Sequence, residues 1–136
     1  MPCSNPPSRL QLAYLVVEAR EPARWARFCD QFLGLPPPLH NADQSLGWRI
    51  DERAQRLIVT PGESDDLAAL GFDCANDAVL EAQAHQLQRL GHRLSEGDAA
   101  ACAARRVQRL YALHDPEGNR IELASRATRT NEPFTA

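Results

Sequence analysis

This sequence lacks most of the features that assign a function at once. No Lys/Arg-rich block stands out in a chain of net charge −3, so the basic face of a nucleic-acid binder is missing. Arg105-Arg106 is the densest basic spot, and it reads as solvated surface. The longest apolar run covers residues 12–17, far short of the roughly 20 residues a bilayer-crossing helix needs. The four cysteines, Cys3, Cys29, Cys74 and Cys102, form no Cys-x-x-Cys pair and no Cys/His zinc spacing. They read as reduced thiols in a cytoplasmic protein, two of them serving as small hydrophobes. Residues 1–9 carry neither a charged n-region nor an apolar h-region, and are expected to be a flexible lead rather than a signal peptide. Among His40, His85, His92 and His114, no two are spaced as a helical metal pair. His85 stands four residues from Glu81, on a face that reads as solvated. No Ser/His/Asp order or phosphate loop supports hydrolysis or nucleotide binding.

What remains is ordinary globular chemistry. With 136 residues, 43% of them hydrophobic and 24% charged, the chain can bury one core without staples. Residues 10–17 read as a mostly buried strand. Pro22 opens a helix at its first position, and Trp25, Phe28, Cys29, Phe32 and Leu33 line one of its faces. Gly34 is the expected left-handed cap, and Pro36-Pro37-Pro38 forbids continuation. Residues 47–51 and 55–60 read as short strands joined by the polar loop Glu52-Arg53-Ala54. Residues 61–66 are turn-rich.

The pattern then begins again. Residues 67–74 read as a strand. Asn76 or Asp77 caps a helix whose apolar face is Leu80, Ala84, Leu87 and Leu90, and Gly91 ends it. A polar, alanine-rich stretch leads to a strand over residues 107–113. Asp115-Pro116-Glu117-Gly118 fits a type I turn. Residues 120–124 close the pattern, with Ile121 and Leu123 on one face and Arg120, Glu122 and Ala124 on the other. Leu33-Gly34 is thus matched by Leu90-Gly91 half a chain later, which marks a two-fold internal duplication. The expected fold is α+β: two βαβββ modules, about residues 10–62 and 67–124, share one curved mixed sheet with helices on its outer face. The concave face is a ligand cleft. Together they make a domain over residues 10–126, followed by a tail over 127–136.

The closing motif Asp115-Pro116-Glu117-Gly118-Asn119-Arg120-Ile121-Glu122-Leu123, ending a duplicated βαβββ pattern, resembles the vicinal oxygen chelate superfamily of glyoxalases, bleomycin-resistance proteins and extradiol dioxygenases. Leu12-Ala13-Tyr14, the run from Trp48 to Arg53, that from Pro61 to Ala68, and Gly97-Asp98 with Arg105-Arg106-Val107 narrow the match. They look like the N-terminal, metal-free domain of dihydroxybiphenyl-type extradiol dioxygenases. The resemblance spans about residues 10–124. Pro133-Phe134 looks like the segment leading to the second domain of such enzymes.

In the catalytic domains of that family two His and one Glu bind Fe(II) or Mn(II), leaving open positions for a catecholate and dioxygen. Carried over, those positions are Tyr14, Ala69 and Glu122, and only Glu122 is a competent ligand. The resemblance therefore implies no cofactor in this chain, and Fe(II) or Mn(II) in a catalytic partner domain. Glu122 is expected to face water or a cleft arginine. Tyr14, Trp48, His114 and Glu122 are the candidate cleft-lining residues. Three functions compete: a non-catalytic domain packing against a catalytic dioxygenase domain, as a fragment or split subunit; a stand-alone homodimer binding a small apolar or aromatic ligand; and a metal-dependent enzyme using Glu122. Nucleic acid and membrane are not expected partners.

Overall fold

A computed structural model describes residues 10–130; the lead over residues 1–9, Cys3 and Pro133-Phe134 lie outside the described residues. Strand β1 (Leu10–Ala19) is followed by α1 (Pro22–Arg27), which runs directly into a π-helical turn (Phe28–Phe32). Three strands complete the first module: β2 (Leu39–His40), β3 (Leu46–Trp48) and β4 (Leu57–Pro61). The second module is β5 (Asp66–Cys74), α2 (Asp77–Arg89), β6 (Ser95–Glu96), α3 (Ala99–Arg105), β7 (Val107–His114) and β8 (Arg120–Ala127).

All eight strands form one sheet in the order β2-β3-β4-β1-β5-β8-β7-β6. The order is its own mirror under the duplication. The first strand of each module lies parallel to the last of the same module, β1 with β4 and β5 with β8. The modules join where β1 and β5 run antiparallel. The expected α+β architecture is what the chain adopts.

Strand alternation divides the core into two faces. On the outer face Cys29 of the π turn packs with Ala19, Trp48 and Val59 of the sheet, and Leu80 of α2 packs with Cys74, Leu113 and Leu123. On the inner face Tyr14, Val16, Ile58 and Ala69 pack together in mid-sheet, and α3 covers Leu110 and Ala124. The two helix-ending glycines take the required left-handed turn, Gly34 at φ 64° and Gly91 at φ 94°. Asn76 caps α2 by accepting from the Val79 N–H at 2.9 Å. In the final turn the Gly118 N–H reaches the Asp115 carbonyl at 3.0 Å. The Asp115 side chain accepts from the N–H groups of Glu117 and Asn119.

Four local readings change. The first helix is regular only to Arg27, and the π turn rotates its continuation. Only Cys29 of the expected stripe is fully buried, while Phe28, Phe32 and Leu33 are exposed. Leu90, placed on the α2 core face, is 65% exposed because it stands beyond the last helical turn. The alanine-rich stretch is a helix, α3, capped by Asp98, which accepts from the Ala101 N–H at 2.8 Å. Alanine has the highest helix propensity, and the cap supplies the start. Finally, residues 128–130 do not trail away. Thr128 accepts from the Ala54 N–H and the Thr130 N–H donates to Glu52, so this segment is held to the loop before β4.

Candidate functional site

Glu122 is the hub of the inner face. Tyr14, Gly71 and Glu122 form one row across β1, β5 and β8, Tyr14 being opposite Gly71 and Gly71 opposite Glu122. A Cβ at position 71 would overlap the Tyr14 ring. Glycine there lets the ring lie flat across β5 until its hydroxyl reaches Glu122. That hydroxyl donates to Glu122 Oε1 at 2.5 Å.

Two arginines complete the cluster. Arg105, at the end of α3, grips the carboxylate with two prongs, Nε to Oε1 at 2.8 Å and Nη2 to Oε2 at 3.1 Å. Arg120, two residues along β8, donates from Nε to Oε2 at 2.9 Å. Glu122 is 1% exposed. Burial alone would raise its pKa, but the hydrogen bonds and charge of Arg105, with Tyr14 and Arg120, overcome this and hold it down to about 2. Tyr14 moves the other way. Burial, then the charge and hydrogen bond of Glu122, push its hydroxyl well above the ordinary phenol value. At neutral pH the site is therefore a protonated phenol donating to an ionised carboxylate.

Arg53 lies against the same ring. Its guanidinium carbon is 5.5 Å from the Tyr14 centroid and that of Arg105 is 5.9 Å away, both within cation–π range. Arg53 is 1% exposed and pairs with Asp73 on β5, while Arg53 Nη2 and Asp73 Oδ1 are buried with no hydrogen-bond partner. Further along, Asn41 donates to Gln55 Oε1 at 3.0 Å and Gln55 donates to the Ala104 carbonyl at 2.8 Å. Arg106 Nε donates to Asn41 Oδ1 at 2.8 Å. This chain of polar contacts ties the first module to the end of α3.

Of the residues singled out from sequence, Tyr14, Ala69 and Glu122 share the inner face, and Ala69 packs beside Tyr14. Trp48 does not join them. It is buried beneath α1 with Ala19, Cys29 and Val59, because its place in β3 turns it to the outer face. His114 is exposed at the end of β7 and lines a separate cavity of about 370 Å³ with Ala69, Leu70 and Arg120. Arg105, Arg120 and Arg53 are the site cations that sequence reading did not single out. Arg105, read as solvated, is buried against Glu122; Arg53, read as a hairpin-loop residue, lies under the sheet. A signal for Arg105 existed: Asp98 followed by an alanine run defines a helix whose last residue is Arg105. Nothing local marks Arg53.

The donor set does not fit a divalent cation. Ala69 has no ligand atom, Tyr14 keeps its proton, and both Glu122 oxygens already accept from cationic donors. A cavity of about 240 Å³ adjoins the cluster, walled by Ala100, Ala101, Ala104 and Leu110 and floored by Arg105, Arg120 and Glu122.

The sequence profile of the family described as dihydroxybiphenyl dioxygenase BphC D1 matches residues 12–62. Over 83% of its length the chain is 35% identical to the biphenyl-2,3-diol 1,2-dioxygenase of Pseudomonas sp. (strain KKS102), of which it covers 38%. Over 82% of its length it is 33% identical to an iron-dependent extradiol dioxygenase of Rhodococcus jostii (strain RHA1), of which it covers 37%. Among solved structures, a halotolerant catechol dioxygenase superposes with a TM-score of 0.83 at 27% identity, covering 92% of this chain and 42% of that one. The chain thus spans about two fifths of the relatives it matches. On sequence and fold together, the chain belongs to the vicinal oxygen chelate superfamily, as a domain of the N-terminal type found in extradiol dioxygenases.

Proposed function

We propose that this chain is a non-catalytic domain of an extradiol ring-cleaving system for aromatic compounds, working beside a catalytic domain that holds Fe(II) or Mn(II). The unit is residues 10–126 with the paired segment that follows, and its place is the cytoplasm. The observation that carries the reading is the saturation of Glu122. The one carboxylate at a triad position accepts from Tyr14, Arg105 and Arg120, and a metal would have to displace cations to reach it. Relatives named as dioxygenases of biphenyl-2,3-diol and of 1,2-dihydroxynaphthalene support the system; the replaced histidine positions support the non-catalytic role.

The test is elemental analysis of the purified chain after incubation with Fe(II), Mn(II) and Zn(II), followed by a ring-cleavage assay on 2,3-dihydroxybiphenyl. The expected result is metal far below one per chain and no yellow ring-fission product. One tightly bound metal per chain, lost in Glu122→Ala, would overturn the proposal in favour of a metal enzyme. The alanine-walled cavity beside Glu122 favours a second reading, a binder of a small aromatic ligand. Calorimetric titration with 2,3-dihydroxybiphenyl, which requires no turnover, decides it.

A further inference from the structure

The cationic nitrogens gathered at Glu122 are not all used there. Arg105 spends two on the carboxylate, but Arg120 gives only Nε, to Oε2 at 2.9 Å. Nη1 and Nη2 of Arg120 hold no hydrogen bond among the described residues. A guanidinium held at Nε still presents these two nitrogens as a flat fork, the shape that takes both oxygens of a carboxylate. Glu122 thus anchors Arg120 and leaves its fork free. The side chain is 42% exposed, within reach of a solute.

The surroundings of the fork favour an anion. His114 on β7 is the cross-strand partner of Arg120 on β8, and side chains directly opposite one another share a face of the sheet. Two nitrogen donors therefore stand side by side, since an imidazole offers an N–H in either protonation state. Both line the cavity of about 370 Å³, whose walls include Leu67, Ala69 and Leu70 and contain no Asp or Glu. Asp43 acts on Arg105, but from the alanine-walled cavity. An apolar cavity of roughly 150 Å³ already admits benzene, so this one has room for one ring and a short chain.

We infer that this cavity binds a small organic carboxylate with a one-ring apolar body. Its two oxygens lie on the Arg120 fork, one of them also accepting from His114, and its ring lies against Leu67, Ala69 and Leu70. The inference rests on Glu122 holding Arg120, whatever domain works beside this one.

Calorimetric titration of the full chain with benzoate, phenylacetate and cinnamate tests it. Benzyl alcohol is the uncharged comparison and inorganic phosphate the ring-free one. At least one of the acids should bind once per chain, about tenfold or more tighter than either comparison. Arg120→Lys keeps the charge and loses the fork, and should weaken that acid about tenfold. Leu67→Glu puts a carboxylate into the cavity at a position already 44% exposed, away from the hub, and should abolish binding. Circular dichroism establishes that Arg120→Lys is folded, and Leu67→Glu decides alone if it is not. In proton NMR the acid should move the ring signals of His114, assigned with His114→Gln, and leave those of His40, His85 and His92 in place. Binding by none of the acids overturns the inference. So does equal binding of either comparison compound, an affinity that survives either folded variant, or a shift at another histidine in place of His114.

Discussion

In the first module the helix is six residues long, starts at Glu21 without a side-chain cap, and passes into a π turn with two phenylalanines in solvent. In the second it runs thirteen residues from the Asn76 cap, and Leu80 and Ala84 anchor it to the sheet. The inner faces differ in the opposite sense. The first module contributes Tyr14 and Arg53, whose hydrogen-bonded carboxylate partners both lie in the other half: Glu122 for Tyr14 and Asp73 for Arg53. The second contributes the hub carboxylate and an added helix, α3, that carries Arg105 to it. One topology, repeated, thus serves two purposes. The second module supplies a well-capped scaffold and the charged hub, while the first supplies an aromatic outer surface and the ring that closes the hub. Duplication preserves the hydrogen-bonded frame and leaves the side chains on it free to diverge.

The largest way to break this arrangement is to remove its cation. Arg105→Met leaves Glu122 buried with a weaker partner set, and should destabilise the domain by about 3–5 kcal/mol in urea unfolding. A loss under 1 kcal/mol would mean that Arg120 alone neutralises the carboxylate. Acid should act on the same hub. The folded pKa of Glu122 is depressed from 4.5 to about 2. Its contribution is therefore present above pH 4.5 and disappears as pH falls toward 2. The linked stability is about 3 kcal/mol, and Glu122→Gln should flatten that acid limb. Gly71→Ala probes the close approach between modules. The added methyl must displace the Tyr14 ring, at about 1–3 kcal/mol. Its thermal shift should be accompanied by loss of the Tyr14 near-ultraviolet signal.

The helices give the smallest effects. Asn76→Ala removes the α2 cap and should cost about 1 kcal/mol. Glu21→Ser, giving α1 the cap it lacks, should gain a few tenths to about 1 kcal/mol. If both changes are neutral, capping does not distinguish the two helices and the π turn alone does.

Much of the frame was legible from residues in order. The matched Leu-Gly pairs, the Asn76 cap and the Asp115 turn depend on groups a few residues apart, so local chemistry decides them. Strand alternation likewise predicted that Ile121 and Leu123 point one way and Glu122 and Ala124 the other. The errors came where neighbours along the chain misinform. Phe28 and Phe32 match a buried stripe by period, yet the π turn changes the period itself. Trp48 and Arg53 are five residues apart and lie on opposite faces of the sheet, for the strand ends between them.

The sequence by itself determined the duplicated βαβββ order, the helix ends, the closing turn and the family, because each follows from short-range pattern. It also placed Tyr14 and Glu122 on strands that the fold brings side by side, one on each side of Gly71. What surrounds Glu122 was decided only by the tertiary structure. Tyr14 lies 108 residues away in sequence, and Arg105, 17 residues away, arrives on a helix that folds over the inner face. A charged side chain looks solvated in any sequence; it becomes a buried ion pair only when distant strands exclude the water around it and supply the donors that replace that water.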